Sequence, residues 1–185
     1  MKVEIKGNTL KLMIGDITKQ ETEAIVNAAN GTLLGGGGVD GAIHRAAGKE
    51  LLEACKEIRK NVLQGKELPT GEAVITKGYR LPAKYVIHTV GPVWKGNTNN
   101  EEKLLSNCYN NSLQLAKEKG IQSISFPSIS TGVYRFPVDL ASKVALTTIT
   151  DFLKIQPFGE VVMTLFSQND YDVYEASLKE MLSSD

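Results

Sequence analysis

Apolar residues recur along the chain at two spacings, every second position and every third or fourth, and the alternation between them predicts strands and helices in turn. Residues 2–15 alternate polar and apolar positions around Gly7-Asn8, which predicts two short strands joined by a tight turn. GDITKQETEAIVNAAN (15–30) reads as a strand end, a short helix and a buried strand over 24–28. A helix from about 40 to 60, broken at Gly48, follows. GEAVITKGYRL (71–81) and KYVIHTVGP (84–92) each hold a strand, the second stopped by Gly91-Pro92. Leu104, Leu105, Tyr109, Leu113 and Ala116 lie at helical spacing, and IQSISFPSIS (121–130) supplies an apolar strand. A helix starts after Pro137 with Leu140, Val144, Ile149 and Leu153 inward. EVVMTLFS (160–167) is a strand, and 171–182 forms a last helix.

Strands alternating with helices of this length predict an α/β fold with a largely parallel sheet covered on both faces. The paired opening strands add one antiparallel edge. With 185 residues, no composition break, no repeat and no linker, residues 1–185 are expected to form a single domain. In such sheets ligands bind outside the carboxyl ends of the strands. The unusual stretches 15–16, 27–38, 91–92, 128–134 and 166–170 all fall at such ends, which predicts one crevice lined by them.

Composition narrows the chemistry. The 21 Lys and Arg balance 21 Asp and Glu, so there is no overall basic field of the kind that binds polyphosphate without sequence preference. An anionic ligand would have to be held by local backbone. The opening MKVEIKGNTLKLMIG has no apolar segment flanked by a cleavage site, and no stretch approaches a membrane span. Cys55 and Cys108 lie inside helical patterns without metal or redox spacing, so both read as reduced structural thiols and the expected location is cytoplasmic.

The stretch GGGGVDGAIHRAAG (35–48) contains Gly36, Gly38 and Gly41 at G-x-G-x-x-G spacing. NAANGTLL separates it from its strand, and no acidic residue ends a second strand about 20 positions later, which counts against a dinucleotide fingerprint. A Walker loop is absent too. A glycine-rich loop entering a helix nevertheless suits an anion, and its glycines are expected to admit the ligand closely, Gly37 among them. Asp40 sits where an N-cap belongs; a carboxylate beside an anion loop could instead meet a ribose hydroxyl or a bound water. His44, one turn later, is in reach of Asp40 and would support it from behind. Asn27 and Asn30 close a buried strand, either as Asx turns or as grips on sugar hydroxyls. SISTGVY (128–134) is rich in small residues whose N–H groups could converge on a second phosphate. No G-x-S-x-G context or matched histidine and acid makes Ser128 or Ser130 a nucleophile. Asp16 could accept from an exocyclic amine or cap a helix, and Phe166 could stack on a base or fill the core. His88 reads as a strand residue, and metal-ligand spacing is absent.

Together GDIT (15–18), NAAN (27–30), LLGGGGVDGAIHRAAG (33–48), LPTGEAVIT (68–76), VIHTVGPVW (86–94) and FPSISTGVYRFP (126–137) resemble the macrodomain family, in its MacroD-type branch, across essentially the whole chain. The resemblance implies a three-layer α/β/α macrodomain with a mixed, mostly parallel central sheet that binds ADP-ribose. Members of this branch remove mono-ADP-ribose from acidic side chains of proteins, deacetylate O-acetyl-ADP-ribose and in some cases release ADP-ribose from nucleic-acid ends; for this chain no cofactor or metal is expected. Carried onto this chain, the resemblance gives Asp16 the adenine amine, Ile17 a backbone contact to the ring and Phe166 a stack against it. Gly35, Gly36, Gly37, Gly38 and Val39, with Ser128, Ile129, Ser130, Thr131, Gly132, Val133 and Tyr134, would enclose the diphosphate and distal ribose. Asn30 and Asp40 would stand at the scissile bond. Most relatives have glycine after that tyrosine; here Arg135 follows, which is costly if the position needs positive φ. The alternative in a different class is a non-catalytic ADP-ribose reader.

Overall fold

The computed structural model describes residues 1–184. Seven strands form one sheet: β1 (Lys2–Ile5), β2 (Asn8–Ile14), β3 (Ala24–Ala29), β4 (Ala73–Lys77), β5 (Tyr85–Val90), β6 (Ser123–Phe126) and β7 (Glu160–Leu165), in the order β1-β2-β7-β6-β3-β5-β4. The inner five strands run parallel. Both edges are antiparallel, β1 on β2 and β4 on β5, where the sequence pattern gave only the first. The connection 78–84 is too short for a parallel crossover, so β4 and β5 had to form a hairpin.

The helices are α1 (Gly38–Ala47), α2 (Lys49–Asn61), α3 (Glu101–Glu118), α4 (Val138–Ile155) and α5 (Gln168–Ser183). Gly48 interrupts α1 and α2 as expected, with φ 89°. Pro137 is the N-cap of α4 rather than its first helical residue, and α4 buries Ala141, Ala145, Leu146, Ile149, Phe152 and Leu153 while Leu140 and Val144 stay half-buried. The last helix begins three residues before the expected Tyr171, because the Ser167 hydroxyl accepts from the Asp170 N–H and caps it.

Alternation along the strands divides the core in two. Ala24 and Val26 of β3, with Ile87, Ile124, Phe126, Val161 and Met163, pack against α3, α4 and α5. Ile25 and Ala29, with Val86 and Val90, face α1 and α2 through Ile43, Ala47, Leu51 and Cys55. The result is three layers. One detail of register places the site: β3 matches β5 over six residue pairs but β6 over only two, Ala24 with Ile124 and Ile25 with Ser125. Beyond those pairs β3 and β6 part, and a crevice opens between their carboxyl ends.

Candidate functional site

The first wall of the crevice is built by Asn30, at the end of β3. Its Nδ2 donates to Gly35 O (2.9 Å) and its Oδ1 accepts from the Thr32 hydroxyl, so one amide folds the glycine loop back on itself. Leu33, buried at φ 60°, pins the loop into the core, and Arg59 Nη1 donates to Thr32 O (2.8 Å). Gly37 is the N-cap of α1 and offers no side-chain cap. Asp40 therefore does not cap the helix, contrary to the sequence expectation; it is the third residue of α1. The helix begins inside the glycine run because glycine itself is acceptable at an N-cap. The first turn therefore has no side-chain cap, and its N–H groups carry the positive end of the helix dipole.

Asp40 is 5% exposed. Its Oδ1 accepts from Asn27 Nδ2 (2.9 Å) and lies 3.4 Å from His44 Nε2. Its Oδ2 is buried and has no hydrogen-bond partner. That oxygen points at Gly36, where an added Cβ would stand 3.3 Å from it and 3.2 Å from Asn30 Nδ2. Gly41 is needed for a similar reason, since a Cβ there would come within 2.5 Å of Gly36 O. A Cβ at Gly37 would meet no protein atom within 4 Å, so the protein's own packing requires glycine at Gly36 and Gly41 and not at Gly37.

Asn27 differs from its expected role. It is 0% exposed, lies outside the crevice and closes no Asx turn; its amide nitrogen bridges Asp40 Oδ1 and His88 Nδ1 (3.1 Å). Strand alternation turns it, with Ile25 and Ala29, toward α1. His88, also 0% exposed, is the residue that sequence reasoning passed over. Its Nε2 is 2.9 Å from the Thr76 hydroxyl and 4.0 Å from Cys55 Sγ. Burial pushes its pKa down to about 4, so the ring is neutral at neutral pH. Burial, then the charge of Asp40, pushes the Cys55 thiol up to about 12. The signal in the sequence was a polar residue at an inward position of YVIHTV.

The second wall follows β6. The Tyr109 hydroxyl donates to Pro127 O (3.3 Å) and accepts from Ile129 N (3.1 Å), and the Ser128 hydroxyl meets the Tyr174 hydroxyl at 2.7 Å. Thr131 turns back onto Ser128 (2.9 Å) rather than into the crevice. Burial raises both phenols, Tyr174 to about 12, so they remain protonated partners. Trp94 N donates to Tyr134 O (2.8 Å) and fixes the loop's far end. Ser130 sits at φ 70° with its Oγ buried and unpartnered, and Gly91 must be glycine because a Cβ would overlap that hydroxyl. Arg135 does take positive φ, 61°, so this chain places an exposed arginine in a conformation that favours glycine.

Between the two walls lies a cavity of about 370 Å³, lined by Ala28, Ala29, Asn30, Gly36 to Asp40, Gly91, Ser128 to Ser130 and Gly132 to Tyr134. A larger hollow of about 610 Å³ lies between β1, α4 and α5, away from the carboxyl ends of the parallel strands. Two of the buried side-chain oxygens without a hydrogen-bond partner, Asp40 Oδ2 and Ser130 Oγ, belong to residues that line the smaller cavity, and its place at the carboxyl ends of the parallel strands makes it the candidate site. Gly35 lies behind it, its carbonyl taken by Asn30.

Asp16, Ile17 and Phe166 also lie outside this cavity, at the ends of β2 and β7, which Gly15 N ties together by donating to Leu165 O (2.9 Å). Asp16 is exposed; its Oδ1 accepts from the hydroxyl (2.7 Å) and N–H (2.9 Å) of Thr18, and these bonds hold its carboxyl below the usual range. Ile17 is buried in the core, whereas Phe166 is 87% exposed and has no place in it. From β2 to β3 is three interstrand steps, about 14 Å, so the stretch from Asp16 to Asn30 suits an elongated ligand.

A family model described as Macro domain matches residues 26–145. The Oceanobacillus iheyensis macrodomain solved with ADP is 56% identical, with a TM-score of 0.98 over 100% of this chain and 97% of that one. Its G37V variant, solved with ADPR, is likewise 56% identical, with a TM-score of 0.97 over 99% and 98% of the two chains. An Escherichia fergusonii protein named O-acetyl-ADP-ribose deacetylase is 57% identical over 144 residues, 78% of this chain and 80% of that protein.

Proposed function

The chain belongs to the Macro domain family, and on that footing we propose that it binds ADP-ribose along the carboxyl ends of β2, β7, β6 and β3 and hydrolyses bonds at the distal ribose. The observation that carries this reading is the buried, unpartnered Asp40 Oδ2 at a cavity wall. A carboxylate oxygen without a partner is costly unless something fills its place, and a water or ribose hydroxyl does so.

In this reading Phe166 stacks on the adenine, Asp16 accepts from its exocyclic amine and the backbone of Ile17 contacts the ring. The free N–H groups of the first turn of α1 and the backbone of 128–134 hold the diphosphate from opposite sides. Asn30 and Asp40 hold the distal ribose, and Tyr134 covers it. A G37V relative that holds ADPR agrees with the open space around Gly37, the matching number in this chain.

For ADP-ribose esterified to an aspartyl or glutamyl side chain, the bond to break joins C1″ to an acyl oxygen. A water held between Asp40 and a substrate phosphate oxygen attacks C1″ as that bond breaks. The protein carboxylate leaves with the bonding pair, and the water's proton passes to one of the two acceptors holding it. Because a carboxylate is a good leaving group, positioning supplies much of the acceleration. In O-acetyl-ADP-ribose a water held in the same place attacks the acetyl carbonyl; the bond from that carbon to the ribose oxygen breaks, acetate departs, and the ribose oxygen takes up the water's proton as a hydroxyl. The buried, protonated Cys55 and Cys108 agree with a reducing cytoplasmic setting.

The test is incubation with a protein mono-ADP-ribosylated on acidic residues. Release of free ADP-ribose at catalytic enzyme concentration is the expected result. Tight ADP-ribose binding with no release would leave a reader module in place of an enzyme.

A further inference from the structure

Behind Asp40 runs a row of buried polar groups, Asn27, His88 and Thr76, that lines neither of the two cavities. Asn27 and His88 are register partners on adjacent parallel strands, both 0% exposed, in a layer otherwise packed with aliphatic side chains. Burying two such groups costs free energy that leucine or valine would not. Their hydrogen bonds explain what they do.

An ionised carboxylate only accepts, so the Asn27 atom 2.9 Å from Asp40 Oδ1 must be the amide nitrogen. The second hydrogen of that nitrogen meets His88 Nδ1 at 3.1 Å, which makes Nδ1 an acceptor. The ring proton then sits on Nε2, 2.9 Å from the Thr76 hydroxyl. Each bond dictates the next, and only a neutral ring completes the series. A flipped Asn27 amide would set its oxygen against the Asp40 carboxylate. The observed orientation is kept even though it leaves Asn27 Oδ1 buried without a partner.

We propose that His88 is a positioning residue: through Asn27 it locks the Asp40 carboxylate with Oδ1 turned into the protein and Oδ2 presented to the cleft. The inference rests on the hydrolase reading above for its catalytic consequence, while the bonding pattern stands independently of it. Without His88 the Asn27 amide is free to turn, and Asp40 loses the bond that fixes its rotation. His44, 3.4 Å away, approaches the same oxygen but leaves Asn27 unheld.

The experiment compares wild type with His88→Leu and His88→Asn. Asparagine returns an acceptor oxygen near the place of Nδ1, whereas leucine fills space without one. His88→Leu is expected to lower kcat on the order of 10- to 100-fold, the size of effect a misplaced catalytic group produces. Its ADP-ribose Kd should stay close to that of wild type, and His88→Asn should recover most of the lost kcat. Wild-type kcat in His88→Leu, or no better turnover in His88→Asn than in His88→Leu, overturns the proposal. A long-range 15N–1H spectrum of wild type at neutral pH reads the tautomer without any variant: a proton on Nε2 and a bare Nδ1 support it, and a proton on Nδ1 overturns it. If wild type releases no ADP-ribose, the hydrolase reading fails, and the tautomer alone then decides whether His88 orients Asp40.

Discussion

Replacing Gly36 by alanine perturbs the site by one methyl group at a known place. The new Cβ would stand 3.2 Å from Asn30 Nδ2 and 3.3 Å from Asp40 Oδ2, so both side chains must give by a few tenths of an ångström. Neither is free to do so. Asn30 is held by Gly35 and Thr32, and Asp40 by Asn27, with His44 alongside. A full ångström of misplacement costs on the order of 100-fold in rate, so a shift of a few tenths with the Oδ2 position crowded should lower kcat about tenfold. Stability should hardly move. Gly36 is not at positive φ, and the gain of about 0.4–1 kcal/mol from a less flexible unfolded chain offsets the crowding. The assay is ADP-ribose release under saturating substrate, beside a thermal melt expected to shift by under about 3 °C. Gly37→Ala, where a Cβ meets nothing within 4 Å, should cost less than Gly36→Ala. Wild-type kcat in Gly36→Ala, or a larger loss in Gly37→Ala, would refute the reasoning.

Three further outcomes are expected. Arg135→Gly relieves a non-glycine residue at φ 61° and should raise stability by about 0.5–1 kcal/mol, read as a higher Tm. His88 is held near pKa 4 against an ordinary 6.5, so below pH 6.5 the unfolded chain binds the proton that the folded chain refuses. Its contribution is intact above pH 6.5 and is lost as pH falls toward 4, roughly 3 kcal/mol in all; denaturant titrations at several pH values should show this slope in wild type and its absence in His88→Leu. Cys55 and Cys108 are buried thiols with raised pKa values, about 12 and about 11, so a maleimide should label neither in the native state and both after unfolding.

Much of this architecture was legible because strand and helix periods differ so plainly along the chain. The break at Gly48 and the gathering of 27–38, 91–92 and 128–134 at the carboxyl ends of parallel strands followed from pattern and topology alone. Strand direction at the far edge did not, since local alternation carries no direction; the shortness of 78–84 was the missed clue. The N-cap expected at Asp40 falls at Gly37 because glycine is itself acceptable there, and the helix starts inside the glycine run. Asn27 and Asn30 looked equivalent in NAAN, yet three residues apart on a strand puts them on opposite faces. That alternation sends Asn27 to the core face of β3, whereas the register that sets His88 beside it is fixed only in the assembled sheet. Orphaned oxygens such as Asp40 Oδ2 exist only in three dimensions and are invisible to any spacing argument.

The central claim is that Asp40 contributes far more to breaking the bond than to holding the ligand, most of which is gripped elsewhere along the cleft. Single-turnover release of ADP-ribose from an aspartyl- or glutamyl-modified protein, beside calorimetric binding of free ADP-ribose, measures both for wild type and Asp40→Ala. The account predicts that Asp40→Ala retains binding and loses at least about 100-fold in rate, the upper part of what one acid–base or positioning group contributes. Near-wild-type turnover by Asp40→Ala would contradict it.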